Sequence, residues 1–241
     1  MNILFIGMNF YNYDTKITEE LTRMGHKVTH ITDAPDIYAF PARFTPQNVL
    51  RKEWLNHQRK ELDNIKDKKY ELIFVTVGRH LFQETLISLR KNNPDARFIL
   101  YLWDDVARVD NFENVKKFYD VIFSIDPEDC INNSFIFLPL FFTNEFYKDK
   151  ETKLKFDVYS AMADHSDRVN IVKKLCKDNP SAKFLFYILL SKPEYIKSKL
   201  EKKNDSRINY IAKPVPKDKN REYLTASKAL LDIPYQGQKG L

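Results

Sequence analysis

Short apolar runs alternate with longer amphipathic segments along the chain. The first run, MNILFIG, is followed by a segment in which Ile17, Leu21 and Met24 share one helical face, and Gly25 precedes the next run, HKVTHIT. Glycine at such a place is typical of a left-handed helix end. The pattern predicts one strand–helix–strand unit, with a helix over residues 14–24.

The same alternation continues through the first 144 residues. Helices are predicted over residues 47–67, 83–91 and 111–119, and strands over YELIFVTVG, ARFILYLW, VIFSID and FIFLPLF. YELIFVTVG is continuously apolar, as strands buried on both faces of a parallel sheet are. FIFLPLFF is eight residues long and is broken by Pro139, so it is predicted to be a core strand and not a membrane span.

A polar stretch, TNEFYKDKETKLK, separates two halves of similar pattern, so we predict domains at 1–144 and 153–241. In the second half, strands are predicted in FDVYSAM, AKFLFYILL, RINYIA and ALLDIP, with helices over 167–177, 193–203 and 219–227. The fold class is therefore α/β, with two Rossmann-like parallel-sheet domains and a cleft expected between them.

The final segment, ALLDIPYQGQKGL, predicts a strand over Ala229–Ile233 and a glycine-bearing loop. Such a loop normally introduces a helix, and doubly wound domains usually have five or six strands. The second domain is therefore expected to be incomplete, lacking about two strand–helix units, and turnover is expected to require that missing segment.

Composition narrows the class of protein. Hydrophobic residues make up 43% and aromatic residues 14% of the chain, which excludes a disordered protein. The two cysteines form no disulfide framework or zinc motif, so a reducing cytoplasm is expected. The apolar N-terminal run lacks the basic segment and cleavage site of a signal peptide and predicts a first strand.

Positive charge is concentrated in the second half. The chain carries a net charge of +6, and residues 153–241 contain 19 basic and 10 acidic side chains. This bias favours an anionic partner, such as nucleic acid, lipid headgroups or a diphosphate, although solvated lysines on helix faces explain it equally well. Nucleic acid is disfavoured because the lysines are scattered and no recognised binding motif occurs.

Several segments resemble bacterial GT-B glycosyltransferases of capsule and lipopolysaccharide assembly, including the CgeB-like and group 1-like transferases. They are MNILFIGMNFY with EELTRMGHKVTHI, FILYLWDD, VIFSIDPEDC, FIFLPLFF, HSDR and SKALLDIPYQGQKGL. The resemblance covers most of the chain. It departs at the end, where the family continues with a helix whose arginine and glutamate hold the donor.

The resemblance implies transfer of a sugar from a nucleotide-diphosphate sugar to a surface polysaccharide or lipopolysaccharide acceptor. The first domain would hold a saccharide or lipid-linked saccharide, and the second the nucleotide sugar. No cofactor or metal is expected. The expected location is the cytoplasm, with peripheral contact at the inner face of the membrane as a further expectation.

Glycosyl transfer requires a base for the acceptor hydroxyl and positive charge for the leaving diphosphate. Asp104 and Asp105 directly follow a predicted strand, where ligand clefts open in parallel sheets. They are candidates for the base, with turn capping as the alternative. Arg79 and His80 follow the preceding strand: His80 is a second catalytic candidate, and Arg79 a contact to the acceptor or a phosphate.

The loop after the first strand reads GMNFYN and lacks the glycine pattern of dinucleotide-binding proteins. It therefore argues against a nicotinamide or flavin cofactor in this domain. Asn9, Phe10 and Tyr11 are predicted to contact the acceptor, because aromatic rings stack on sugars. Packing of these rings in the core is the alternative.

Donor binding is predicted from the second domain. His165, Ser166 and Arg168 open its first helix, where Arg168 would reach the diphosphate; helix capping is the competing role for this segment. The resemblance places Lys213 near the nucleobase and the terminal loop near the donor sugar. That loop contributes Asp232, Gln236, Gln238 and Lys239.

A noncatalytic α/β binding module, either a degenerate transferase or a receiver-like protein using Asp104 or Asp105, is the rival hypothesis. It explains the absent phosphate-binding glycines more simply. A transferase should bind a nucleoside diphosphate, whereas a receiver should bind Mg²⁺ and a phosphoryl mimic.

Overall fold

A computed structural model describes residues 1–8, 10, 12–35, 47–109, 112–143, 152–200 and 205–233. The chain forms two compact units, Met1–Phe141 and Phe142–Leu241. Each unit has its own sheet and its own buried core. No helix in the described ranges combines the length and apolar character needed to cross a membrane.

The first unit is built on a six-stranded parallel sheet. Its strands are β1 (Asn2–Gly7), β2 (Lys27–Thr32), β3 (Leu72–Thr76), β4 (Arg97–Leu102), β5 (Val121–Ser124) and β6 (Ile136–Phe137). Its helices are α1 (Tyr13–Arg23), α2 (Gln47–Ile65), α3 (Gln83–Asn92), α4 (Phe112–Val115) and α5 (Pro127–Asn133). The strand order is β2-β1-β3-β4-β5-β6.

The apolar run of the first strand is explained by its central place. β1 pairs in parallel with β2 on one side and β3 on the other. Ile3, Leu4, Phe5 and Ile6 are all fully buried. A strand covered on both faces has no solvent-facing position, so its sequence does not alternate.

Gly7 ends this strand where a carboxylate packs against the backbone. A Cβ atom at Gly7 would lie 2.1 Å from Oδ2 of Asp14. Asp14 is 1% exposed and lies 3.2 Å from Nε2 of His30. The glycine is therefore required by the close approach of α1 to the end of β1.

The predicted core strand FIFLPLF is wrong in both length and burial. Only Ile136–Phe137 forms a strand, at the edge of the sheet, and Phe137 and Phe142 are 53% and 76% exposed. Pairing stops there because the partner strand β5 ends at Ser124, whose carbonyl accepts the last bond, from the N–H of Leu138 at 3.0 Å. The segment continues as extended chain held by the Tyr101 hydroxyl, which donates to the Pro139 carbonyl at 2.7 Å.

The second unit contains a four-stranded parallel sheet. Its strands are β7 (Phe156–Ala163), β8 (Phe184–Leu189), β9 (Ile208–Ile211) and β10 (Ser227–Leu230). Its helices are α6 (Arg168–Asp178), α7 (Lys192–Leu200) and α8 (Lys217–Thr225). The order β10-β7-β8-β9 matches the first four strands of the Rossmann order 3-2-1-4-5-6.

The last helix and strand begin earlier than the sequence pattern predicts. The predicted ranges were 219–227 and Ala229–Ile233, whereas α8 ends at Thr225 and β10 begins at Ser227. Ser227 pairs with Phe156 in the register of β7. Strand β10 thus includes the polar residue Ser227, which the apolar pattern alone assigns to the preceding helix.

Candidate functional site

A pocket of about 300 Å³ opens in the first unit, at the carboxyl ends of its strands. The chain turns to opposite sides of the sheet from β1, because β2 lies on one side and β3 on the other. Such switch points are where parallel sheets bind ligands. The described lining residues are Met8, Phe10, Tyr13, Val77, Arg79, Trp103, Asp104, Leu140 and Phe141.

A strained turn follows β3 at the pocket wall. Val77 has φ of 61° and Gly78 has φ of 63°, both in the left-handed region. The Gly78 N–H donates to the carbonyl of Thr76 at 2.6 Å, which closes a tight three-residue turn around Val77. A β-branched residue in this region is an outlier that costs of order 1–3 kcal/mol. The turn directs Arg79 toward the pocket.

Gln58 holds the loop that carries Arg79. Its side chain is 2% exposed, and its Nε2 donates to the carbonyls of Asp33 at 2.7 Å and His80 at 2.6 Å. Its Oε1 accepts from the N–H of Phe82 at 3.2 Å and the hydroxyl of Thr85 at 2.6 Å. One amide therefore ties α2 to the end of β2, to two positions between β3 and α3, and to the first turn of α3.

Two predicted site residues meet in the pocket. Nη2 of Arg79 donates to Oδ2 of Asp104 at 2.6 Å, with the two side chains 34% and 22% exposed. Arg108 lies on the other side, with its Nε 3.3 Å from Asp105 and its Nη1 3.9 Å from Asp104. Asp104 faces the pocket, whereas Asp105 is not among the described lining residues.

His80 has a different environment from Arg79. Its ring packs on Trp54 at 4.1 Å between centroids, and its backbone N–H donates to Oδ2 of Asp33 at 3.2 Å. His80 is not among the described residues of the pocket lining. His80 and Asp105 thus follow the neighbouring strands β3 and β4, and the ring of His80 lies against Trp54 of α2.

Three aromatic rings in the pocket lining pack edge to face. Between ring centroids, Tyr13 lies 5.9 Å from Trp103 and 5.5 Å from Phe141, and Trp103 lies 5.8 Å from Phe141. The ring centroid of Phe10 lies 6.3 Å from that of Tyr13. Phe10 is 45% exposed, so it does not belong to the core. The rings fix one another and present an apolar wall.

Two buried donors of the pocket residues have no acceptor among the described residues. They are Nε of Arg79 and Nε1 of Trp103. Buried polar atoms are normally paired, so each exception requires an explanation such as a water or a ligand. Both belong to side chains that line the pocket, which makes an acceptor atom of a ligand one such explanation.

Asp33 is a buried carboxylate that the sequence analysis did not select. It is 1% exposed at the end of β2, and burial raises its pKa from 3.8 to about 7. The N–H of His80 and the charge of Arg79 oppose this increase, whereas the charge of Asp14 adds to it. Its position directly after the second strand was the signal that could have identified it.

In the second unit, the switch point lies between β7 and β10. Arg168, at the first position of α6, donates through Nη1 to the Ala163 carbonyl at 3.1 Å and through Nε to the Ile233 carbonyl at 2.8 Å. Its Nη2 also donates to Ile233. Burial lowers the pKa of Arg168, and the charge of Asp232 opposes that effect. The guanidinium thus joins the ends of the two strands.

The other predicted donor contacts are distributed along this edge. His165 lies beside Ser166, with Nδ1 and Oγ 3.3 Å apart, and Ser166 has φ of 55°. Asp167 precedes α6 without a side-chain capping bond. Lys213 is exposed and follows β9, three strands from β10, or roughly 14 Å away at the usual strand spacing. The structure therefore brings Asp232 close enough to affect Arg168 and separates Lys213 from the end of β10.

Five of the predicted site residues lie outside the described residues. They are Asn9, Tyr11, Gln236, Gln238 and Lys239. Within the described part of the chain, there is no group of three or more histidine, cysteine, aspartate or glutamate side chains that could hold a metal ion.

Several pocket residues were not predicted as functional, namely Met8, Tyr13, Val77, Trp103, Leu140 and Phe141. Trp103 immediately precedes the predicted Asp104, so its place at the strand end was available from the sequence. Leu140 and Phe141 were assigned to a core strand, because an apolar run does not reveal that its strand pairs on one side only.

No protein-family model matches the chain, and no curated protein matches it in sequence. Among solved structures, MurG from Acinetobacter baumannii matches with a TM-score of 0.54 and 10% identity, over 93% of this chain and 71% of that one. CalG4, the calicheamicin glycosyltransferase, matches with a TM-score of 0.50 and 11% identity, over 95% of this chain and 74% of that one. At these identities the likeness is one of fold. It confirms the predicted α/β class with two Rossmann-like domains, as in GT-B glycosyltransferases.

Proposed function

We propose that this chain is a glycosyltransferase that moves a sugar from a nucleotide-diphosphate sugar to a hydroxyl group of an acceptor. The Asp104–Arg79 pair in the pocket of the first unit carries the proposal, because it sets a carboxylate beside an acceptor-sized space. The fold shared with glycosyltransferases supports it. The sequence resemblance favours an acceptor from capsule or lipopolysaccharide assembly.

In the proposed reaction, Asp104 accepts the proton of the acceptor hydroxyl. The hydroxyl oxygen forms a bond to the anomeric carbon of the donor sugar. The bond from that carbon to the diphosphate oxygen breaks, and the nucleoside diphosphate leaves with the electron pair. Arg79 orients the Asp104 carboxylate through its 2.6 Å hydrogen bond.

The second unit is assigned to the donor. Arg168 supplies positive charge for the diphosphate, Lys213 lies on the nucleobase side, and His165, Ser166 and Asp232 supply polar contacts. The bonds of Arg168 to two carbonyls favour a role in shaping this site, with its remaining N–H hydrogens directed to the ligand. Transfer is proposed to proceed without a metal ion or an organic cofactor.

Donor binding can be tested by ligand-observed NMR with UDP, GDP, CDP, ADP and dTDP, each alone and in competition. We expect one nucleotide to bind selectively, and Lys213→Ala to weaken it. A matched control is Lys228→Ala, because Lys228 is an exposed lysine that pairs with Asp157 at the amino end of β7. Binding of Mg²⁺ with a phosphoryl mimic, and of no nucleotide, would favour the receiver-like alternative instead.

A further inference from the structure

The pocket of the first unit differs in chemistry from a saccharide subsite. Seven of its nine described lining residues are apolar or aromatic, and the two charged ones, Arg79 and Asp104, are bonded to each other. A sugar ring carries a hydroxyl on nearly every carbon. Stacking on aromatic rings pairs none of these hydroxyls, and hydroxyls buried without hydrogen-bond partners oppose binding, so a saccharide would bind weakly against such a lining.

We propose that the pocket takes an acceptor whose reactive hydroxyl is carried on a flat apolar ring system. This inference rests on the proposed glycosyl transfer and names an acceptor class other than the capsule or lipopolysaccharide saccharide that the sequence resemblance favours. The ring system lies against the wall formed by Tyr13, Trp103 and Phe141, and its hydroxyl faces Asp104. A carboxylate has about four lone-pair sites, so Asp104 accepts this hydroxyl while it remains paired with Arg79.

The size of the pocket supports the same ligand class. A volume of about 300 Å³ lies at the lower end of the range for small-molecule pockets, which suits one compact ring system better than an oligosaccharide. The charged groups of the described lining are also confined to one side, where Arg79 and Asp104 follow neighbouring strands. A ligand with one polar edge and one apolar body matches that distribution.

The two tryptophans of the chain allow a direct binding measurement. Trp103 lines the pocket, and Trp54 lies against His80 outside the described lining. In Trp54→Phe protein labelled with fluorotryptophan, a single ¹⁹F resonance therefore reports the pocket. The probes are 2-naphthol, as a flat apolar ring with one hydroxyl, and methyl α-glucoside, as a saccharide.

We expect 2-naphthol to shift the Trp103 resonance saturably and methyl α-glucoside to leave it unchanged at a tenfold higher concentration. Leu140→Asp should weaken 2-naphthol binding by at least about tenfold, because it places a charge in the apolar lining. Leu138→Asp is the matched control: Leu138 and Leu140 are both 38% exposed, and only Leu140 lines the pocket.

A saturable shift with the glucoside alone, or with neither probe, would overturn the inference. Equal losses of 2-naphthol affinity in the two leucine variants would also overturn it. The assay contains no nucleotide. If 2-naphthol binds and no nucleotide of the panel binds, the glycosyltransferase proposal fails and the proposed ligand class of the pocket stands. If a nucleotide binds and 2-naphthol does not, only the proposed ligand class fails.

Discussion

The carboxyl group of Asp33 retains its proton at pH values where an exposed aspartate is ionised. Its pKa is raised to about 7 because the side chain is buried at the end of β2. Between pH 3.8 and about 7, the unfolded chain releases this proton while the folded chain holds it. The contribution of Asp33 to stability is therefore fully present below this window and is lost as the pH rises through it.

We expect Asp33→Asn to remove this pH dependence. Each unit of pKa corresponds to about 1.4 kcal/mol, so the free energy of unfolding of the variant, relative to wild type, should increase by roughly 3–4 kcal/mol between pH 4 and pH 8. The asparagine oxygen can still accept from the His80 N–H. Urea unfolding at several pH values measures the difference, and parallel pH profiles for the two proteins would contradict it.

Single residues also show where sequence information ends. Arg79 and Asp104 were each selected because they follow a predicted strand, and a hydrogen bond joins their side chains in the structure. The hydrogen bond from His80 to Asp33 links positions 47 apart, and no local pattern encodes it. Burial of Asp33 depends on α2 and the loop after β3, so its altered pKa could not be predicted from its neighbours in sequence.

At the scale of elements, Gln58 connects α2 to the loop between β3 and α3. Gln58→Met preserves the side-chain length and leaves the Phe82 N–H and the Thr85 hydroxyl without this partner. We expect the free energy of unfolding to fall by about 1–3 kcal/mol and the Phe82 amide to exchange at least about tenfold faster. Hydrogen exchange measures the second effect.

Lys60→Met is the control for this variant, because Lys60 is exposed on the same helix. It should leave exchange at Phe82 unchanged. If Gln58→Met does not increase that exchange, the loop carrying Arg79 is held by other contacts and Gln58 has no positioning role.

Arg168 has the corresponding role in the second unit. Lysine cannot reproduce the three donors that join Arg168 to the ends of β7 and β10. We expect Arg168→Lys to accelerate exchange of the Leu231 amide, which donates to Tyr159 at 3.0 Å next to this junction. Arg221→Lys, an exposed position on α8, should have no effect. Reduced nucleotide affinity with normal Leu231 exchange would instead indicate a purely ligand-binding role.

Helices and strands were predictable where the apolar periodicity ends at the same place as the residues that interrupt it. An example is α3, which is predicted over 83–91 and observed as Gln83–Asn92. Helix α5 was missed, although Asp126 caps it by accepting from the N–H groups of Glu128 and Asp129, and Pro127 occupies its first turn. These are standard helix-start signals. The short helix has no amphipathic repeat, so a search for periodicity does not find it.

For the whole molecule, the alternation of strands and helices was sufficient to predict two parallel-sheet units. It could not predict the strand orders, which differ between the units and fix the switch points at β1/β3 and β7/β10. The pocket depends on those orders. Its aromatic wall combines residues from α1, the end of β4 and the segment after β6, which come together only when the sheet is assembled.

The most direct test of the proposed function measures nucleoside diphosphate release from the matching nucleotide sugar, with 2-naphthol and methyl α-glucoside as alternative acceptors. We predict that release depends on an acceptor and that Asp104→Asn lowers it by about 10²- to 10⁴-fold relative to wild type, with Asp95→Asn, an exposed site, unchanged. Release that is independent of both acceptors, or equally fast in Asp104→Asn and wild type, would contradict transfer at this pocket.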